Sequence, residues 1–165
     1  MSVKKKVGVI ELGEEAYMSD PTYSTNNELN CTIKTFAGKY NVFITKSQGD
    51  FDNGRISNLY AIHQDFYKGK NGYKRIPQTN KEYMFCCVDS GTCGIFDKDY
   101  FEKYHNEQGA DDEWYEKFIM GTISKEYVVT DGLGAFSLSG WGDGKYIVNA
   151  EYKEGKAFAI NIKFF

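Results

Sequence analysis

Within ten residues the sequence places Asp89, Ser90, Gly91, Gly94 and Asp97, so a carboxylate and a hydroxyl at a glycine corner are followed by a second carboxylate. An apolar run precedes this corner and a helical pattern follows it. Backbone N–H groups are therefore expected to face outward there, an arrangement that can hold an anion. The plainer alternative is that Asp89 and Ser90 bond back onto the loop, the glycines take left-handed conformations, and Asp97 caps a helix. A nucleophilic Ser90 has little support. The segment lacks the Gly-x-Ser-x-Gly elbow and the phosphate loop, and only His63 and His105 are available as a base. A second stretch, Trp141, Gly142, Asp143 and Gly144 with Tyr146 just beyond, reads as a tight Asp-Gly turn. A tryptophan at a turn is costly unless it covers something. Arg55 follows the turn at residues 52–54 and, apart from Arg75, is the only arginine available for a planar anion contact. The residues expected to meet a partner or small ligand are thus Asp89, Ser90, Gly91, Trp141, Asp143, Tyr146 and Arg55.

Acidic residues at apparent loops and strand ends raise a different chemistry. Asp20, Asp89, Asp97 and Asp143 are candidates for a divalent cation such as calcium or magnesium, which takes hard oxygen ligands. Were they to converge, a metal-dependent hydrolase is the alternative to a binding module. Residues 50–54 carry alternating acids and a glycine but lack the closing glutamate of a calcium loop. The four cysteines, Cys31, Cys86, Cys87 and Cys93, are expected to be free thiols, because no export signal is evident and a domain of this size needs no staple. Cys86 and Cys87 are adjacent in an apparent strand and point to opposite faces, so they cannot clamp zinc together.

The elements that must position these residues read mainly as strands. Residues 3–12 form the first. Residues 31–36 and 40–45 alternate on either side of a turn at 37–39 and read as a hairpin. Residues 56–66 continue the sheet, and the apolar run at 82–88 has the texture of a buried central strand. Two short helices follow, one from about Asp97 and one over 114–119 after acidic residues 111–113. Strands at 126–130, 135–139, 145–152 and 156–164 complete the chain, separated by glycine turns. The architecture expected is an antiparallel, twisted β-sandwich or open barrel of about eight strands with two short helices.

A chain of 165 residues with 41% hydrophobic residues suits a single domain that folds alone. The 13 Tyr, 12 Phe and 17 Gly favour sheet over helix. A net charge of -3 argues against non-specific nucleic-acid binding. No apolar stretch approaches the length of a membrane span, and the basic start at Lys4, Lys5 and Lys6 gives way to Glu14 and Glu15 too soon for a signal peptide, so a cytoplasmic protein is expected.

Four stretches, at residues 19–23, 37–40, 88–97 and 139–146, together resemble a bacterial and phage family of unknown function, numbered 4241. The Asp-Ser-Gly and Gly-Asp-Gly stretches carry most of the resemblance. It implies a fold and a set of suspect positions but no reaction; apart from the divalent cation considered above, no cofactor is expected. The expected function is that of a non-catalytic binding module for a partner protein or small ligand, and an immunity or antidefence accessory is one form that suits a small acidic protein. A purely structural accessory protein is the third alternative.

Overall fold

The computed structural model describes residues 4–23, 29–67, 84–108 and 119–165. In chain order the elements are β1 (Lys4–Leu12), β2 (Glu15–Ser19), β3 (Cys31–Lys34), β4 (Gly38–Lys46), β5 (Ile56–His63), a 3-10 turn (Gln64–Phe66), β6 (Met84–Val88), β7 (Thr92–Asp97), α1 (Lys98–Gln108), α2 (Gly121–Lys125), β8 (Tyr127–Thr130), β9 (Gly134–Leu138), β10 (Gly144–Lys153) and β11 (Lys156–Lys163). They form two antiparallel sheets. The larger has the order β1-β4-β5-β11-β10-β6 and the smaller β3-β2-β7-β9-β8. The mainly β sandwich expected from the sequence is present, with eleven strands among the described residues rather than about eight, and it is not a closed barrel. The expected helix over 114–119 lies almost wholly outside the described residues. None of the described helices is long and apolar enough to cross a membrane.

The two sheets bury a common core. Ile10, Tyr40, Val42, Leu59, Val148 and Ile160 of the larger sheet face Met18, Ile33, Ile95 and Ala135 of the smaller. Burying each aliphatic side chain of this kind contributes about 1.5–3 kcal/mol against the chain's lost entropy. A second cluster lies on the outer face of the smaller sheet, where Phe101 of α1 packs on Tyr17, Phe96 and Phe136. Glycine makes that seat possible, because a Cβ on Gly94 or Gly134 would stand 2.6 or 2.5 Å from the Phe96 ring.

The strand pairing departs from the sequence expectation at two places. Residues 31–36 and 40–45 do not pair with each other. β3 pairs with β2 in the small sheet, whereas β4 pairs with β1 and β5 in the large one. The intervening residues carry the chain between layers. The Thr35 N–H donates to the Glu14 carbonyl at 2.8 Å and the Phe36 N–H to the Ala157 carbonyl at 3.2 Å, so the crossing is tied to both neighbours. Both strands alternate because each faces the same core from an opposite side. The apolar run ending at Val88 is an edge strand, not a central one. Cys86 and Val88 face the core, and the outward Phe85 is covered by the Lys145 ammonium 3.4 Å from its ring centroid.

The connectivity gives the sandwich two distinct ends. At one end meet the turns at residues 20–22, 47–55, 89–91 and 139–143. At the other lie the turns at 13–14, 35–37, 131–133 and 154–155, together with Asp97 and His63.

Candidate functional site

Two glycine corners, distant in sequence, stand side by side at the first end. β6 pairs with β10 from Gly144 opposite Val88, and this brings the turn after Val88 against the turn before Gly144. The Ser139 N–H donates to the Gly91 carbonyl at 3.0 Å. A Cβ on Gly91 would have the Gly142 Cα as its nearest neighbour, at 4.0 Å. Gly91 and Gly142 have φ of 70° and 93°, in the left-handed region where glycine is the natural occupant.

An anion does occupy the Asp89–Ser90 backbone, and it belongs to the protein. Asp20, fully buried, accepts the N–H groups of Asp89 and Ser90 through Oδ2 at 2.8 and 2.7 Å. Its Oδ1 accepts the Thr22 N–H at 2.8 Å and the Thr22 hydroxyl at 2.7 Å. Four charge-assisted hydrogen bonds compensate the burial of this carboxylate. Asp89 and Ser90 therefore do not bond back onto their own loop; their backbone is tied to the segment after β2. The Ser90 hydroxyl itself is enclosed and has no hydrogen-bond partner. His63 cannot serve it as a base. That imidazole sits at the far end of β5, within 3.3 Å of the Ala37 carbonyl and against the Tyr40 ring.

The second corner is built from its own backbone and two side chains. The hydroxyls of Ser139 and Tyr146 both donate to the Gly142 carbonyl, at 2.6 and 2.7 Å. Tyr146 is 7% exposed and packs edge-on against Phe164, so it supports the corner from within and does not face a ligand. Gly140 has φ of 69°, and its missing Cβ leaves room for the Phe165 ring, which would otherwise be 2.5 Å away.

On this base stands Trp141, 53% exposed. The Arg55 guanidinium lies 4.8 Å from its ring centroid and donates to the Gly140 carbonyl at 2.8 Å. Phe165 packs against the same indole with ring centroids 5.7 Å apart. Arg55 is itself positioned by the β4–β5 turn, where its N–H donates to the Asp52 carbonyl at 3.0 Å. Phe51, at the tip of that turn, is 95% exposed. Beneath the turn is a groove of about 440 Å³ lined by Lys5, Ile44, Lys46, Ser47 and Asn53. Asp89 and Asp143 are exposed on the other side of the corner. Burial, then the charges of Asp20, Asp89 and Asp143 among its neighbours, raise the Tyr23 phenol above its ordinary range. The end of the sandwich thus carries a guanidinium over the Trp141 indole next to a carboxylate-rich rim.

Of the four residues named for a divalent cation, Asp20, Asp89 and Asp143 share one end of the sandwich and Asp97 does not. Asp97 is at the opposite end of β7, where its Oδ1 caps α1 by accepting the Tyr100 N–H at 2.9 Å and its Oδ2 accepts the Gly13 N–H at 2.8 Å. The strand between puts it about 15–20 Å from the Asp89 corner. Asp20 has both oxygens engaged by donors. Among the described residues no three His, Cys, Asp or Glu side chains are grouped so as to hold a metal ion.

Phe51, Phe165 and the tether Asp20 were not picked out by sequence as parts of a binding surface. A lone aromatic between Asp50 and Asp52 in a turn was a usable signal for Phe51. Nothing local marks Phe165. No family model matches the chain, nor does any curated protein or solved structure. The resemblance to family 4241 is an expectation that rests on its four stretches alone.

Proposed function

We propose that the chain is a non-catalytic binding module that takes a partner protein on the end of the sandwich bearing Trp141, Arg55 and Phe51. One observation carries this reading: Trp141 is held half exposed on a turn fixed by hydrogen bonds, with a guanidinium stacked on its indole. Tryptophan and arginine are the residue types that dominate binding energy at protein interfaces. Their fixed placement reduces the ordering cost that association otherwise imposes. The corner projects its side chains outward on internally bonded turns, which favours a protein surface over a small ligand as the occupant. Asp89 and Asp143 form the polar rim of the same surface, and Tyr146, Gly91 and Ser90 belong to its support.

The test compares wild type with Trp141→Ala and Arg55→Ala in affinity capture, followed by reconstitution with the purified partner. Both variants are expected to keep a thermal midpoint within about 3 °C of wild type, as exposed positions allow. Each is expected to weaken the reconstituted complex about 30-fold or more, the range of an interface hot spot. Unchanged affinity in Trp141→Ala overturns the assignment.

A further inference from the structure

Cys86 and Cys93 are both fully buried, and their sulfur atoms are 3.4 Å apart. They belong to different layers, Cys86 to β6 of the larger sheet and Cys93 to β7 of the smaller. Facing sheets are ordinarily about 10 Å apart, too far for a disulfide, whose Cα atoms stand about 4.4–6.8 Å apart. Here the layers converge, because only residues 89–91 connect β6 to β7. The same three residues form the corner that Asp20 tethers. Cys31 is the nearest rival, since the charge of Cys86 is felt at its thiol, while Cys87 faces away from the core.

We propose that Cys86 and Cys93 form a reversible disulfide that staples the two sheets beneath the corner at residues 89–91. The oxidant is a small-molecule disulfide of the glutathione type. One chain thiolate attacks a sulfur of the oxidised reagent, forming a mixed disulfide and releasing one equivalent of reduced thiol. The second chain thiolate then displaces the remaining half, so that two electrons pass to the reagent and the protons of both cysteines end on the two released thiols. Burial, with Cys86 beside it, holds the Cys93 thiol well above its ordinary value. The thiolate is therefore scarce in the folded protein, and the bridge forms while the chain folds, when both sulfurs are accessible.

The test refolds the reduced, denatured protein in a mixture of reduced and oxidised glutathione, then alkylates the remaining thiols under denaturing conditions. The expected product is two hydrogens lighter than the reduced chain before alkylation, and afterwards has two alkylated cysteines, Cys31 and Cys87. Cleavage before Asp89 should leave the fragment carrying Cys86 joined to the one carrying Cys93, and Cys87→Ala should preserve that link. Its thermal midpoint is expected to fall by ~5 °C on reduction, as the unfolded chain regains freedom. Four alkylated cysteines after refolding, or a bridge that includes Cys31 or Cys87, overturns the proposal. The result does not depend on partner binding at Trp141.

Discussion

At the scale of single residues, Asp20 decides the geometry of the corner. Its carboxylate joins the segment after β2 to the turn between β6 and β7. Asp20→Ala leaves three backbone donors, those of Thr22, Asp89 and Ser90, and the Thr22 hydroxyl without their acceptor, so a loss of about 3 kcal/mol is expected in urea unfolding at neutral pH. Ser90→Ala is a contrasting case, because the hydroxyl it deletes is enclosed and unbonded. That variant should be neutral or slightly more stable. Glu151 supplies a pH dependence. Burial pushes its carboxyl up to about 6, so the folded protein prefers the protonated form. The contribution is complete below the ordinary carboxylate range and is lost as pH rises through 6. Glu151→Gln is therefore expected to raise the thermal midpoint at pH 7.5 and leave it unchanged at pH 4. An equal shift at both values would show that burial of this carboxyl is not the cause.

At the scale of elements, the turns are less interchangeable than their sequences suggest. Gly91 and Gly140 have nearly the same φ, 70° and 69°. Alanine at Gly91 meets nothing closer than 4.0 Å, so Gly91→Ala should cost only the left-handed strain, about 1 kcal/mol. At Gly140 the added methyl would also approach the Ile56 carbonyl to 2.7 Å and the Phe165 ring to 2.5 Å, and about 3 kcal/mol is expected. Denaturant midpoints of the two variants check the difference. The alternating pattern of β4, β10 and β11 was legible because each turns one set of alternate residues to the main core, although β4 and β11 bury much of their second face as well, Phe43 and Ala159 packing in a separate cluster. Partner choice was not. The 31–36 and 40–45 segments have the alternation and spacing of a hairpin, yet the hydrogen bonds of Thr35 and Phe36 send them to different sheets. β2 and β7 were missed for a related reason. β2 is only Glu15–Ser19, and β7 begins within a glycine-bearing stretch whose Gly94 makes room for Phe96. The edge position of β6 was masked because both of its faces are covered, the inner by the core and the outer by Lys145.

At the scale of the whole molecule, the layered topology explains which part of the site could be read in advance. The glycine corners and Trp141 announced themselves through turn chemistry, and their adjacency follows from the pairing of β6 with β10. The separation of Asp97 from the other acids could not be read, because it depends on β7 spanning the sandwich from end to end. The pairings are also long in sequence, with β5 bonded to β11. Such non-local sheets fold in milliseconds to seconds. Stopped-flow refolding is expected in that range, and a microsecond phase accounting for the whole signal would contradict the topology.

The packing of Phe165 against Trp141 has a practical consequence for anyone fusing a label to this chain. A reporter inserted after Phe165 would emerge beside the indole and obstruct the proposed partner surface. The Glu154–Gly155 turn is at the opposite pole of the sandwich, exposed and already in left-handed conformation, so a fluorophore or affinity handle grafted there would report on an unobstructed face.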